Sequence, residues 1–235
     1  MFFKRSYGAQ VRNSLSFNGA SLVQVLQEWG AEPGSVPLAD AVQRFGGWLN
    51  PFEVVRLQAG LQAVESLAPP TAPWSVGDAA AWADRAWQEL HSSLKAHSDN
   101  GLKALAQELS TPVYEPYRRL AMDHQRLMDA AVDGFRGALR QRMWQGPVPL
   151  RQLAAIDALL QPLMQERLSR WGGLGLNRLE GRFHHWQAAT ATSGPAEALV
   201  AFHEECRRLW QAELDFRLQP LMGLMEALYQ ELDPC

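Results

Sequence analysis

The sequence predicts an all-α protein, an irregular bundle of about seven to nine helices with a long central antiparallel helix pair and a proline-kinked C-terminal helix. Two observations predict this fold class. Apolar residues recur at steps of three and four along most of the 235 residues, which keeps them on one face of a helix. No segment alternates apolar and polar residues with strand-like composition for more than a few residues. The 47% of hydrophobic and 20% of charged residues are typical of a globular protein.

Three short helices are predicted within residues 1–68, after a loosely held arm that reaches about residue 17. The first ends at Gly30, and the second begins at Pro37. The third begins at Asn50, which can cap a helix, and Pro51 suits the first helical position. These helices form the predicted N-terminal part of the protein.

A proline-rich segment at residues 69–75 separates these helices from the rest of the chain. Its prolines disfavour a helix and favour an extended spacer. We therefore expect an N-terminal helical subdomain with a flexible arm at residues 1–68, a linker at 69–75, and a long-helix bundle at 76–235.

Turn-forming residues divide the bundle into several predicted helices. Residues 98–101 are predicted to interrupt its first helix, and the turn at 145–149 lets the long second helix be followed by an antiparallel return. The glycine-rich residues 172–175 are predicted to break the returning helix. The small residues 188–194 are predicted to form a loop before the last helix begins.

One apolar stripe defines the last helix and passes through Pro220 without a change of phase. A proline inside a helix removes one backbone hydrogen bond and costs about 3 kcal/mol unless tertiary contacts hold the bend. The helix is therefore predicted to be kinked and buried against other helices. The stripe consists of Leu199, His203, Cys206, Trp210, Leu214, Arg217, Leu221, Met225, Leu228 and Leu232.

Charged residues gather around Pro220. Glu213 and Arg217 lie four residues apart, in the favoured orientation for an ion pair. On a solvated helix face such a pair contributes only a few tenths of a kcal/mol. Alternatively, Arg217 reaches the carbonyl that the proline frees, or a neighbouring helix, and fixes the bend. In that case Arg217→Ala lowers the melting temperature more than Arg140→Ala on the long helix.

The polar residues form no recognisable catalytic or metal site, and we expect no cofactor and no metal. The two cysteines, Cys206 and Cys235, make neither a disulfide framework nor a metal knuckle. His184 and His185 are adjacent on a helix and point about 100° apart, so they do not readily bind one metal together. The glycine-rich residues 172–175 lack the preceding strand and the following Lys-Ser/Thr of a phosphate loop.

Charge and hydropathy argue against nucleic-acid-binding, membrane-spanning and exported proteins. The net charge of -3, without a basic block, argues against a nucleic-acid-binding surface. No window approaches eighteen uncharged apolar residues, and the first residues lack the apolar core of a signal peptide. We therefore expect a cytoplasmic protein without membrane insertion.

Several stretches carry a resemblance to a known family. They are Trp48–Leu49 with Glu53–Leu57, Leu150–Asp157, Leu179–Phe183 and, most specifically, Ala212–Leu221. With these stretches the chain resembles a family of uncharacterised proteobacterial proteins described as domain of unknown function 3348. It departs from the family pattern at Asn50-Pro51 and in the glycine-rich residues 172–175.

The resemblance brings no activity with it. It implies a genomic association with envelope proteins that resemble ion-driven motor and peptidoglycan-binding components. A cytoplasmic accessory role in such an assembly is the inference that it supports.

The long helices, the nine tryptophans and the abundant arginines favour a non-enzymatic helical scaffold or adaptor. Its partner is expected to be another protein or a second copy of the chain. Two alternatives stay open: an enzyme whose site is assembled from scattered residues such as His184, Glu204 and Arg217, and a nucleic-acid-binding or defence-related accessory factor. The candidates for structural or interaction roles are Trp48, Arg182, Trp210, Glu213, Arg217 and Pro220.

Overall fold

The computed structural model describes residues 51–68, 74–108 and 113–232, together with Leu22, Gln24, Val25, Glu28 and Trp29. The helix predicted to begin at Pro37, most of the proline-rich linker and Cys235 lie outside these residues.

Five long or medium helices make up most of the described chain. They are α1 (Pro51–Glu65), α2 (Val76–Glu108), α3 (Tyr114–Met143), α4 (Val148–Ser193) and α5 (Pro195–Gln230). The described residues from Leu22 to Glu28 are also helical and are called the N-terminal helical segment. The described part of the chain contains no strand, so the predicted all-α class is confirmed.

The predicted number of seven to nine helices is wrong, because the described residues hold six. Residues 98–101 lie inside α2, and residues 172–175 and 188–193 lie inside α4. A glycine in a helix costs only about 1 kcal/mol, which tertiary packing readily offsets. Gly101, for example, lies directly against the Leu120 side chain of α3, where a larger residue would collide.

The core consists of two apolar clusters that α5 joins. One cluster lies among α2, α3, the beginning of α4 and the second half of α5; it includes Met128, Leu139, Met143, Leu218, Leu221 and Leu228. The other lies among the N-terminal helical segment, the end of α2, α3, α4 and the first half of α5; it includes Leu22, Leu102, Tyr117, Phe183, Phe202 and Leu209.

The predicted stripe of α5 faces this core. Eight of its ten members are buried, while Leu199 is partly buried and Leu232 is exposed near the end of the helix. Pro220 lies inside α5, as predicted, and is partly buried.

One side of α1 packs against α4. Gly60 lies against the Leu159 side chain, and Gln152 donates a hydrogen bond from Nε2 to the carbonyl oxygen of Val64 at 3.4 Å. Arg151 of α4 donates a hydrogen bond to the carbonyl oxygen of Ala68, just beyond the helix. These contacts fix α1 on the outside of the bundle.

Short connections join the last three helices. Residues 144–147 link α3 to α4. Gly194 alone links α4 to α5, with φ 82° and ψ 149°. That combination is essentially restricted to glycine, because a Cβ atom would collide with the backbone.

Candidate functional site

A cleft of about 510 Å³ opens between the N-terminal helical segment, α2, α3 and α5. Ion pairs close one end of it. Asp99 of α2 accepts hydrogen bonds from Lys95 Nζ at 2.6 Å and from Arg207 Nε at 2.7 Å. Arg207 also pairs with Glu204 at 3.3 Å. The hydrogen bonds from Lys95 and Arg207 hold the pKa of Asp99 below its usual range.

His91 of α2 and Asp215 of α5 also line the cleft, each eight residues along its helix from the ion pair of Asp99 and Arg207, and this part is called the other end of the cleft. The Nδ1 atom of His91 lies 2.9 Å from the carbonyl oxygen of Trp87. Asp215 accepts a hydrogen bond from Gln211 Nε2 at 2.8 Å, and burial raises the pKa of its carboxyl group. On α5, Asp215 is eight residues from Arg207, which is about 12 Å along a helix.

Aromatic rings form the floor of the cleft. His124 of α3 stacks on His97 with ring centroids 5.5 Å apart, and its centroid is 5.0 Å from that of Trp210. Burial, followed by the neighbouring His97 and Arg217, lowers the pKa of His124 to about 4, so its imidazole stays neutral at pH 7. His97 Nε2, His124 Nδ1 and Trp210 Nε1 are buried and have no hydrogen-bond partner in the described part of the chain.

A second polar group lies behind this floor, where Glu213 is only 1% exposed. Its carboxylate accepts hydrogen bonds from Gln125 Nε2 at 3.0 and 3.1 Å and pairs with Arg217 Nη1 at 3.5 Å. Arg217 also donates from Nε to Asp129 of α3 at 2.8 Å and from Nη1 to the carbonyl oxygen of Glu213 at 3.2 Å. Burial raises the pKa of Glu213 to about 7, against the opposing effects of Arg217 and Gln125.

The pair of Glu213 and Arg217 is therefore buried and does not lie on a solvated face. From the sequence, Arg217 could reach the carbonyl that Pro220 frees or a neighbouring helix. In the structure it contacts the neighbouring helix α3, through Asp129. Its side-chain bond to α5 itself goes to the carbonyl oxygen of Glu213.

Gly175 of α4 provides the space for the Glu213 carboxylate. A Cβ atom at Gly175 would collide with Glu213 Oε1, and it would also contact the Leu209 side chain. The glycine that was expected to break a helix therefore lets α4 approach a buried polar side chain of α5.

The structure brings three of the six candidate residues together. Trp210 lies on the floor of the cleft, and Glu213 and Arg217 lie behind it. Arg182 pairs with Glu205 beside a separate, smaller cleft of about 230 Å³. Trp48 lies outside the described residues.

The scattered residues considered for an enzyme are not assembled into one site. His184 is exposed, and its Nδ1 lies 3.3 Å from Oε1 of Gln187. Glu204 lines the cleft, whereas Arg217 is buried. Among the described residues, no hydrogen bond or ion pair joins any two of these three side chains.

A buried ionic group between α3 and α4 was missed in the sequence. Arg136 donates two hydrogen bonds to Asp157, from Nε at 2.8 Å and from Nη2 at 2.5 Å. Arg140 adds a bond to Asp157 at 3.0 Å and one to Gln161 at 2.5 Å. The signal in the sequence is that Arg136 and Asp157 both fall within the apolar phase of their helices.

Comparison with known proteins identifies the chain at the level of a family. The family model described as "Protein of unknown function (DUF3348)" matches residues 9–230. The chain belongs to this family. No curated protein and no solved structure matches it.

The family match covers the cleft, the Glu213 group and the Arg136–Asp157 pair. Two of the stretches that carry the family resemblance contain residues of these polar groups. Ala212–Leu221 contains Glu213 and Arg217, and Leu150–Asp157 ends at Asp157. In the part of the chain that the structure describes, no three His, Cys, Asp or Glu side chains form a group suited to a metal ion. None of the described helices is long and apolar enough to cross a membrane.

Arg217→Ala is expected to lower the melting temperature, because it leaves Glu213 buried without its cation. Arg140 is unsuitable as the comparison residue, since it takes part in the ionic group with Asp157. Arg126→Ala is the matched control, because Arg126 forms an exposed pair with Asp123 on the same helix as Arg140. We expect the loss at Arg217 to be about 2 kcal/mol and that at Arg126 to be under about 1 kcal/mol. Equal shifts in thermal melts would exclude the structural role of Arg217.

Glu213 is expected to make the protein less stable as the pH rises from about 4.5 to 7. In this range the folded state holds the Glu213 proton more tightly than the unfolded state does, so unfolding releases it. Glu213→Gln removes this titration but keeps an oxygen for the bonds from Gln125 and Arg217. The difference in melting temperature, Glu213→Gln minus wild type, should therefore be larger at about pH 8 than at about pH 5. A temperature difference that does not change with pH would contradict the raised pKa.

Proposed function

We propose that this protein is a non-enzymatic helical scaffold or adaptor that binds a protein partner through the outer side of α1. The observation that carries the proposal is the exposure of large apolar side chains on this helix: Phe52 is 86% exposed and Val55 is 67% exposed. Val54 and Leu61 are exposed as well.

The composition of α1 supports a covered helix. Apolar residues occur around most of its circumference, and the contacts to α4 described above lie on the side that carries Gly60 and Val64. A helix that is apolar all round is usually buried. Phe52, Val55 and Ala59 follow the steps of three and four at which a helix inserts its side chains into a partner.

The charges of α1 favour a protein surface over a lipid surface as the partner. The helix carries Glu53, Arg56 and Glu65, so acidic residues outnumber basic ones. Helices that lie on anionic membranes are instead rich in Lys and Arg on their polar side. We place the protein in the cytoplasm, beside an envelope assembly, on the family resemblance.

The proposal includes two finer features of the scaffold. We infer that α3 and α4 form the long antiparallel pair: Arg136 late in α3 contacts Asp157 early in α4, and Tyr114 at the start of α3 contacts the carbonyl oxygen of Leu176. We also infer that α5 bends at Pro220, which cannot donate a backbone hydrogen bond.

Val55→Glu tests the proposal, and Val200→Glu is its matched control. Val200 is an equally exposed valine, at 69%, on α5. Both variants should keep the melting temperature of the wild type, because neither residue is buried. Val55→Glu should reduce the recovery of a specific partner in affinity capture from native cells by about tenfold or more, or abolish a dimer measured by light scattering. Equal behaviour of both variants and the wild type would count against binding through α1.

A further inference from the structure

The end of the cleft that holds His91 and Asp215 has the properties of a binding site for a positively charged group. We propose that this end binds an organic cation, a primary ammonium or a guanidinium group on a short apolar body, with the Asp215 carboxylate as its counter-ion. The inference is independent of the proposed function, since it uses neither α1 nor its partner.

Asp215 differs from the other charged residues of the cleft in its partner. The cations that line it are already paired: Lys95 and Arg207 bind Asp99, and Arg208 binds Glu28 at 2.6 Å. Among the charged residues described in the lining, Asp215 is the one whose hydrogen bond goes to a neutral amide, that of Gln211. The imidazole of His91 compensates this carboxylate only in part, since burial still raises the pKa of Asp215, and a ligand cation would complete the compensation.

The hydrogen bond of His91 to the backbone determines which of its ring nitrogens faces other groups as an acceptor. A carbonyl oxygen can only accept, so the contact between His91 Nδ1 and the Trp87 carbonyl places a proton on Nδ1. In the neutral ring, Nε2 is then an acceptor. When the His91 ring is neutral, its Nε2 and the Asp215 carboxylate are two acceptors at the same end of the cleft, which suits a group that carries several N–H donors.

The other cations of the lining are either distant from this end or already paired: Lys95 is four residues from His91 on α2, but its Nζ is bound to Asp99 at 2.6 Å. Arg207 and Arg208 lie eight and seven residues from Asp215 on α5, which is about 10 to 12 Å along the helix. This distance exceeds the Debye length of about 8 Å at physiological salt, so their repulsion of a bound cation is weak. Their ion pairs with acidic residues weaken it further.

Apolar side chains line the cleft together with Asp215. Leu94 and Leu214 are buried apolar residues of the lining, and Trp210 contributes its ring to the floor. The neutral His124 beside Trp210 is 3% exposed, and its Nδ1 has no hydrogen-bond partner among the described residues. An alkyl chain of a few carbons fits against these walls while its charged end reaches Asp215. An aromatic face also favours a nearby cation.

The test is titration of the full chain with n-butylguanidinium and with n-butylammonium, followed by calorimetry and by the NMR signals of the His91 and Trp210 side chains. We expect saturable binding of at least one cation and shifts of both side chains. Butanol, which lacks the charge, and butyrate, which has the opposite charge, should bind about tenfold more weakly or not at all.

Asp215→Asn keeps the shape and the hydrogen bond to Gln211 but removes the charge. It should weaken cation binding by about tenfold or more while the melting temperature is kept or raised. Asp123→Asn is the control, because Asp123 is an exposed carboxylate paired with Arg126 outside the cleft. Absence of saturable binding, a preference for butyrate, or equal affinity in Asp215→Asn would overturn the proposal.

A last comparison distinguishes two sources of the same chemistry. Acetyl-arginine-methylamide represents an arginine side chain in a partner protein, whereas n-butylguanidinium represents a free small molecule. Tighter binding of the blocked amino acid supports the first source, and tighter binding of the free cation supports the second.

Discussion

Replacing Asp157 with alanine is expected to lower the free energy of unfolding by about 3 to 5 kcal/mol, which is the largest single effect that we predict. The variant leaves the guanidinium group of Arg136, which is 4% exposed, without its bidentate partner. Unlike a carboxylate with a raised pKa, an arginine cannot give up its charge at neutral pH. For a chain of this length the melting temperature should fall by roughly 6 to 20 °C.

Asp123→Ala serves as the control for this prediction. It removes an aspartate from an exposed pair with Arg126, which should cost at most about 1 kcal/mol. A double variant, Arg136→Met with Asp157→Leu, should recover much of the stability, because it removes both buried charges together. If Asp157→Ala unfolded at the same denaturant concentration as Asp123→Ala, the pair would have no such role.

Gly175→Ala is expected to destabilise the protein by about 1 to 3 kcal/mol, although alanine is the better helix former. The added methyl group would collide with Glu213 Oε1, which the bonds from Gln125 and Arg217 hold in place. Either α4 moves away from α5 or the buried carboxylate loses its partners. Chemical denaturation measures the loss.

Two other glycines of α4 provide matched controls with the opposite expected sign. Among the residues that the structure describes, nothing lies within 4 Å of a Cβ atom placed at Gly173 or at Gly181. Alanine at these positions should therefore stabilise the protein by about 0.5 to 1 kcal/mol through its helix propensity. A stabilising effect of Gly175→Ala, similar to that of Gly181→Ala, would show that the space beside Glu213 is not required.

The helical class and the buried face of α5 could be predicted because both depend on local spacing. Steps of three and four residues identify one side of a helix whatever surrounds it. The same spacing related Glu213 to Arg217. It could not reveal that Asp129 and Gln125 of another helix complete their hydrogen bonds, since these residues are 88 positions away in the sequence.

The predicted breaks in α2 and α4 failed for a related reason. Asn100-Gly101 and the glycines at 172–175 have low helix propensity, which is a local property. Gly101 meets Leu120 of α3, and Gly175 meets Glu213 of α5, so both allow close packing between helices. A residue that disfavours an isolated helix can thus be required by a packed one.

The candidate cleft was beyond the reach of the sequence because its residues come from separate elements. His91, His124 and Asp215 are each ordinary polar residues in their own helices. They become a set when α2, α3 and α5 pack together. Trp210 could be selected in advance because it lies on the apolar stripe, and the structure places it at the floor of this cleft.

The one-residue connection at Gly194 has a consequence for the rate of folding. It brings Arg182 of α4 against Glu205 and Gly175 against Glu213, so these contacts close short loops of the chain. Contacts between neighbouring segments form faster than contacts between distant ones. We therefore expect the hairpin of α4 and α5 to form early during folding, and α2, whose Asp99 must find Arg207 across 108 residues, to join it later.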